Sequence, residues 1–257
     1  VHAILAMKKL LLLAVLAGLW AAPARATITL VQQAASGSSC STSATTCSIT
    51  VSATGAGHFG IITTRHNSTV SLSSVTTGGT WTVPAGCHLG LSGTGGASCA
   101  YILNLSGGVT TITVTWSSAP GQCGFVFREY SYTGSSVALD PSGGLGSHSS
   151  STNPAPGVGL TLTGSNDVVV QGLAVGGTTT ISGISSPYGN FATNSTGEYG
   201  GADLENTVSG AAPNWTLNAA GGAVATAIAI AESSSGGPAA PPPSQMMLGC
   251  CRTGERR

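Results

Sequence analysis

Charged residues are scarce in this sequence. They make up only 6% of the 257 residues, against about a quarter in an average soluble domain. Lysine does not occur between Thr27 and Gly237, where Arg65 and Arg128 are the only arginines. A nucleic-acid-binding protein needs basic residues that neutralise phosphates, and a protein that binds anionic membranes needs a polybasic face. The sequence therefore excludes both as primary functions.

Long apolar runs are equally scarce, and the one that stands out lies near the N-terminus. After Met7, the pair Lys8 and Lys9 precedes an apolar run from Leu10 to Leu19, and a small-x-small tripeptide then ends at Ala26. This order is typical of a secretory signal peptide, and the run is too short to span a bilayer. We therefore predict cleavage after Ala26, export from a bacterial cell, and no membrane span in the mature chain.

The composition divides the chain into three parts. Residues 1–26 are predicted to be a leader, made of a short upstream extension and a signal peptide over 7–26. Residues 27–232 have the length of one β-sandwich domain. Residues 233–257 begin with a Ser/Gly/Pro-rich linker and are predicted to form a disordered tail.

Alternation of apolar and polar residues is the dominant pattern within the domain. Thr111–Trp116 (TITVTW) places Ile, Val and Trp on one face and three Thr on the other, whereas Gly124–Tyr132 and Ala223–Ala231 are more continuously apolar. Ala223–Ala231 could be a helix by propensity, but its Val-Thr-Ile-Ile alternation favours a closing strand. No other segment has a convincing helical period, and Gly-rich turns separate the strands. We predict an all-β fold: a single antiparallel, jelly-roll-like β-sandwich of about 12–14 short strands. Residues Asp140–Gly159 are predicted to form a long loop.

Several short motifs of the domain resemble a known group of proteins. A strand ending in Trp116 and followed by Phe127-Arg128-Glu129-Tyr130-Ser131 is similar to a region of uncharacterised exported bacterial proteins that are rich in Ser, Thr and Gly. Thr80-Trp81-Thr82 and the opening strand Thr27–Gln32 resemble the same group, although Tyr132-Thr133 departs from its pattern. The resemblance implies a jelly-roll or immunoglobulin-like β-sandwich in an exported protein, and it implies no catalytic residues.

The cysteines suit an oxidising compartment. Cys40 and Cys47 flank a polar turn, and Cys87 and Cys99 flank a Gly-rich loop, so each pair is a candidate disulfide. Cys123 is then left unpaired. Cys250 and Cys251 lie in the tail, and their role stays open. Metal-binding pairs of the Cys-x-x-Cys type do not occur in the domain.

Candidate catalytic residues are few. Glu129 and Glu198 could form the two carboxylates of a glycoside hydrolase, but the serine-hydrolase elbow Gly-x-Ser-x-Gly is absent. Asp203, Glu205 and Asn206 could supply oxygen ligands to a structural calcium ion. We predict no other cofactor and no catalytic site.

Exposed aromatic residues would indicate a sugar-binding surface. Tyr188, Phe191 and Tyr199 lie in a Gly/Ser/Asn-rich stretch and could form such a platform, or they could plug the end of the sandwich.

The function that these features favour is structural or adhesive. Natural sheet proteins protect their edges with charges, particularly Lys, and this domain has almost none. We predict a non-enzymatic secreted or cell-surface protein that binds other surface proteins or itself. Strand addition, with Thr27–Gln32 as the donor strand, is one route to self-assembly. A carbohydrate-binding module is the first alternative, and a glycoside hydrolase is the second.

Overall fold

The computed structural model describes residues 27–36, 40–141, 144–164 and 166–233, and within them the chain is almost entirely β-structure. It contains 17 strands and one short 3₁₀ turn at Ala85–Cys87. The strands of the first half are β1 Ile28–Ala35, β2 Thr46–Thr50, β3 Phe59–His66, β4 Leu72–Thr76, β5 His88–Leu91, β6 Gly95–Ile102, β7 Thr111–Trp116 and β8 Gly124–Tyr132. The strands of the second half are β9 Ser136–Leu139, β10 Leu145–Ser150, β11 Ala155–Pro156, β12 Asp167–Val175, β13 Ile181–Ile184, β14 Gly189–Thr193, β15 Tyr199–Thr207, β16 Asn214–Leu217 and β17 Ala223–Ser233.

The strands form four antiparallel sheets, two in each half of the chain. In the first half, sheet A has the order β1-β8-β3-β6-β5 and sheet B the order β2-β7-β4. In the second half, sheet C has the order β10-β17-β12-β15-β14, with β9 also paired to β17, and sheet D has the order β11-β16-β13. Adding nine to each strand number of sheets A and B gives the strand order of sheets C and D. The second half therefore repeats the strand pairing of the first, and each half contains one eight-stranded, jelly-roll-like unit, called a jelly roll below.

The four sheets stack in the order B, A, C, D. One apolar cluster joins sheet B to sheet A through Ile112, Val114 and Phe127. A second joins sheet A to sheet C through residues such as Ile61 and Ile228, and a third joins sheet C to sheet D, where Trp215 is fully buried. Sheets A and C are thus covered on both faces, which explains why their central strands are continuously apolar.

The predicted all-β class is confirmed, and the boundaries of β7 and β8 agree with the sequence prediction. The number of strands is higher than the predicted 12–14, because β10 and β11 lie within the predicted loop Asp140–Gly159 and β14 and β15 lie in the stretch around Tyr188. Residues 80–83 form only an isolated bridge between Thr82 and Tyr101.

The N-terminal strand β1 is already paired within the chain. Its inner edge bonds β8. On its outer edge, the Asn206 side chain bonds the N–H and C=O of Ile28, and the Glu205 carboxylate accepts from the N–H of Leu30. Donation of this strand to another molecule would have to break both sets of bonds. Among the described residues, no helix is long and apolar enough to cross a membrane.

Candidate functional site

The few charged side chains of the described residues lie almost entirely inside the protein. Two arginines and five carboxylates are at most 4% exposed, namely Arg65, Arg128, Glu129, Asp140, Asp167, Asp203 and Glu232. Glu198 and Glu205 are half-buried. Because a buried ion is costly unless it is paired or hydrogen-bonded, each of these groups marks a place where chemistry or folding depends on a specific partner.

The first cluster lies between sheets A and C. Arg128 on β8 is fully buried; its Nη2 donates to the Asn190 carbonyl at 3.0 Å, and its Nε lies 3.9 Å from Asp203 Oδ2. Asp203 also accepts from the Tyr130 hydroxyl at 2.6 Å and from Asn190 Nδ2 at 2.8 Å. Burial raises the pKa of Asp203, and the nearby Arg128 opposes that shift. Gly201 leaves room for the guanidinium, since a Cβ there would lie 2.6 Å from Arg128 Nη1.

This cluster also contains the residues predicted to hold calcium. Asp203 is bonded to Tyr130 and Asn190, Glu205 accepts from Leu30 N and Asn190 Nδ2, and Asn206 bonds the backbone of Ile28. The three side chains therefore join β15 to its neighbours. Among the described residues, no group of three or more His, Cys, Asp or Glu side chains is placed to hold a metal ion.

The second cluster surrounds Glu129, which projects from the opposite face of β8. Its Oε1 accepts from Gly55 N at 2.7 Å and lies 2.6 Å from His58 Nδ1, while Oε2 accepts from Gln32 Nε2 at 2.5 Å. The carboxylate is fully buried, and His58 is 27% exposed. Glu129 thus ties the loop before β3 to strands β1 and β8.

Glu198, the other predicted hydrolase carboxylate, belongs to a separate site. It pairs with Arg65 Nη1 at 2.5 Å and accepts from the Thr196 hydroxyl. Arg65 and Glu198 line a cavity of about 290 Å³ between the two jelly rolls. The other residues that line it are Cys40, Thr42, Gly121, Gln122, Cys123, Asn194, Ser195 and Thr196. Glu129 is not among the residues that line it. The structure therefore gives the two glutamates different partners and does not place them together on one cavity.

A serine–histidine contact that the sequence did not reveal lies at the end of sheet A. His66 Nε2 is 2.7 Å from Ser98 Oγ, His66 Nδ1 is 2.9 Å from the Asn67 carbonyl, and His88 Nδ1 is 2.9 Å from the same Ser98 Oγ. The carbonyl can only accept, so Nδ1 of His66 carries the proton and Nε2 accepts from the serine. His66 is 0% exposed and Ser98 1% exposed, so the network is internal. The abundance of Ser in the sequence hid this pair, because every His has a Ser nearby.

The predicted aromatic platform is buried. Tyr199 is 0% and Tyr188 7% exposed, and Phe191 packs against Trp215 at a ring distance of 6.3 Å. The Tyr188 hydroxyl donates to the Ala211 carbonyl and accepts from Gln171. Of the two interpretations of these residues, the plug at the end of the sandwich is the one that the structure supports.

Replacement of Tyr188 by Phe should therefore act on stability and leave sugar binding unchanged. We expect a loss of about 1 kcal/mol in the free energy of unfolding, since one buried hydroxyl and its bonds are removed. Urea titration of the variant measures this loss, and affinity electrophoresis on neutral polysaccharides measures retention. Lower retention without a change in stability would contradict the buried position of Tyr188.

The cysteines pair locally, as predicted. Cys40 and Cys47 are joined with an S–S distance of 1.98 Å, and Cys87 and Cys99 with one of 1.97 Å. Cys123 is free, and its thiol donates to the Cys40 carbonyl at 3.0 Å. The predicted cleavage residue Ala26 and the tail pair Cys250 and Cys251 lie outside the described residues.

The outer side of sheet B is a regular array of hydroxyl groups, which we name the hydroxyl face. Its side chains are exposed or half-exposed: Thr46, Ser48, Thr50, Ser74, Thr76, Thr111, Thr113 and Thr115. They stand opposite one another across the strands, for instance Ser48 opposite Thr113, where the two hydroxyls are 2.7 Å apart. None of the three strands contains a charged residue.

The arrangement as a whole combines buried ionic groups with an uncharged outer surface on sheet B. Comparison of the chain with protein-family models, with curated proteins and with solved structures found no match.

Proposed function

We propose that this is a non-enzymatic, structural or adhesive protein of the cell exterior that associates with further copies of itself through the hydroxyl face. The observation that carries the proposal is the distribution of charge. Every arginine and carboxylate of the described residues is buried or half-buried. Like-charge repulsion, which usually keeps proteins apart in solution, is correspondingly weak at such a surface.

The edges of sheet B add to this argument. Charged residues and proline usually protect the edges of a sheet against pairing with another molecule. The two edge strands of sheet B, β2 and β4, contain neither. The face between them offers both donors and acceptors, because each hydroxyl can donate one hydrogen bond and accept two. Such a surface is complementary to itself. Sheet B is therefore a better candidate for contact between copies than β1, whose outer edge is already bonded.

The predicted export is consistent with the same role. Two disulfides join neighbouring segments of the first jelly roll, and disulfides persist mainly in oxidising compartments outside the cytoplasm. A bacterial cell surface is the setting that the leader predicts.

The test is the oligomeric state of the exported protein as a function of concentration and salt. We expect the mean mass in sedimentation velocity to rise with concentration and to change little with added salt, since no charge at the face is screened. Thr113→Glu, at the centre of the hydroxyl face, should reduce association. Thr216→Glu, at an exposed position of β16 in sheet D, is the matched control and should not.

A strictly monomeric protein at all concentrations would overturn self-association. If that monomer bound a neutral polysaccharide, and Thr113→Glu abolished the binding, the carbohydrate-binding alternative would replace it. Equal effects of the two substitutions would exclude the hydroxyl face as the contact.

A further inference from the structure

The cavity between the two jelly rolls contains the free cysteine of the described residues. Cys123 lies in the segment before β8 and is half-buried. Its thiol, a weak donor, bonds the Cys40 carbonyl at 3.0 Å. The sulfur thus lies at the wall of a cavity of about 290 Å³. This volume is at the lower end of the range for ligand pockets and suits a molecule with few heavy atoms.

Polar groups at this cavity have unused capacity for hydrogen bonds. Arg65 is 3% exposed; its Nη1 bonds Glu198, whereas its Nε has no partner among the described residues. Glu198 Oε2 accepts from Arg65 and Thr196, and Oε1 accepts no hydrogen bond from the described residues. Gln122 Oε1 is likewise buried without a partner. Because unpartnered polar groups inside native proteins are rare, they indicate that a further polar molecule binds here.

The charges at the cavity define the class of ligand. Arg65 and Glu198 are the two charged residues among those that line it, so the cavity offers one cation and one anion. A guanidinium suits the carboxylate of a ligand, because the two form charge-assisted hydrogen bonds. The carboxylate of Glu198 suits a ligand ammonium for the same reason. A small molecule with both groups, such as an α-amino acid, therefore matches the cavity better than a molecule with one charge.

We propose that Cys123 forms a mixed disulfide with a small amino-acid thiol of the cysteine class, whose carboxylate binds Arg65 and whose ammonium binds Glu198. The setting favours this reaction, because the two disulfides of the first jelly roll suit an oxidising compartment, where small disulfides persist.

The step is a thiol–disulfide exchange. The thiolate sulfur of Cys123 attacks one sulfur of the symmetrical disulfide of the small thiol. A new S–S bond joins Cys123 to one half of that disulfide, and the old S–S bond breaks. The other half leaves as a thiolate and takes up the proton that Cys123 has lost. The small disulfide is the oxidant: Cys123 is oxidised, and the departing thiol is reduced.

The test compares three small disulfides on the purified full chain. Cystine carries ammonium and carboxylate groups, cystamine carries only ammonium groups, and dithiodipropionate carries only carboxylates. Burial raises the pKa of the Cys123 thiol, although Arg65 opposes the shift, so the reaction is slow and is followed over hours at about pH 7, below the pKa of α-amino groups. Mass spectrometry of peptides locates each adduct, because Cys250 and Cys251 can react as well.

Selectivity is measured as a ratio of rates. For each disulfide, the rate at Cys123 in the folded protein is divided by the rate in urea, which cancels the intrinsic reactivity of the disulfide. We expect this ratio to be about fivefold higher for cystine than for either of the other two, the effect of one partly exposed charged contact. Glu198→Gln should abolish the preference over dithiodipropionate and keep the preference over cystamine. Glu205→Gln, the same change at a carboxylate outside the cavity, is the matched control and should keep both.

Three results would contradict the proposal. If Cys123 reacts in urea but not in the folded protein, the cavity does not admit the disulfide. Equal ratios for the three disulfides, or no effect of Glu198→Gln, would mean that the charges of the cavity do not select the ligand. A disulfide between Cys123 of two copies, formed faster than the adduct, would assign the thiol to a contact between copies. The experiment is independent of self-association through the hydroxyl face, because no residue of that face lines the cavity.

Discussion

Replacing Arg128 by alanine is expected to lower the free energy of unfolding by about 3–5 kcal/mol, the range for breaking a buried ion pair from one side. The loss is large because the substitution leaves Asp203 buried without its cation. It also removes the donor to the Asn190 carbonyl, which links β8 to the strand pair β14–β15. Native domains are stable by only about 5–15 kcal/mol. This one substitution could therefore remove much of the stability that holds the two jelly rolls together.

Equilibrium unfolding in urea, followed by tryptophan fluorescence, measures the loss. Arg65→Ala is the matched control: its partner Glu198 is 30% exposed on the side chain, so water can solvate the carboxylate that remains. We expect a smaller loss there. A double variant, Arg128→Met with Asp203→Asn, should lose less unfolding free energy than the sum of the losses of Arg128→Met alone and Asp203→Asn alone. The reason is that the double variant leaves no unpaired charge behind. Strictly additive losses would show that Arg128 and Asp203 do not interact.

The neighbouring residues Arg128 and Glu129 show what alternation could and could not predict. Successive residues of a strand point to opposite faces, and the two side chains do so: one meets Gly201 and Asn190 of the second jelly roll, and the other meets His58 and Gly55. Both are buried, because sheet A lies between sheets B and C. Alternation indicates the two faces of a strand, but it does not show how many further layers cover them.

Strands β10 and β14 were not predicted from the sequence, for a similar reason. β10 (LGSHSS) and β14 (GNFAT) have the composition of loops, with Gly, Ser and Asn, and no apolar alternation. They form strands because their long neighbours, β17 and β15, offer them a row of backbone partners. Tertiary context of this kind overrides local strand preference.

The repeat of the pairing order between the two halves was hidden from the sequence for a related reason. Corresponding strands differ in length and composition: β7 is TITVTW, whereas its counterpart β16 is NWTL. The two halves share a pairing order but differ in the sequences of strands such as these. The disulfides were predictable, in contrast, because each closes a short turn within the first half.

The stability of the protein is expected to fall as the pH is lowered from about 6.5 to 4, and His66 should account for about 3 kcal/mol of that fall. Burial, before any other cause, and the neighbouring His88 together lower the pKa of His66 to about 4, although the hydrogen bond to the Asn67 carbonyl opposes the shift. In the unfolded chain the imidazole has its ordinary pKa of about 6.5. The unfolded state therefore binds more protons between these two values, so acidification favours unfolding; above pH 6.5 both states are neutral and the contribution is constant.

The groups that face His66 determine the matched variant. Its Nδ1 donates to the Asn67 carbonyl, its Nε2 accepts from Ser98, and Ser98 in turn accepts from His88. His66→Gln can keep one donor and one acceptor but cannot titrate. Urea unfolding of both proteins at a series of pH values separates this residue from the carboxylates, since only the difference between wild type and variant is compared. The two curves should diverge below pH 6.5, with the wild type losing stability more steeply. Parallel curves would mean that His66 becomes protonated within the folded protein as readily as in the unfolded chain, and that the Ser98 network is open to water.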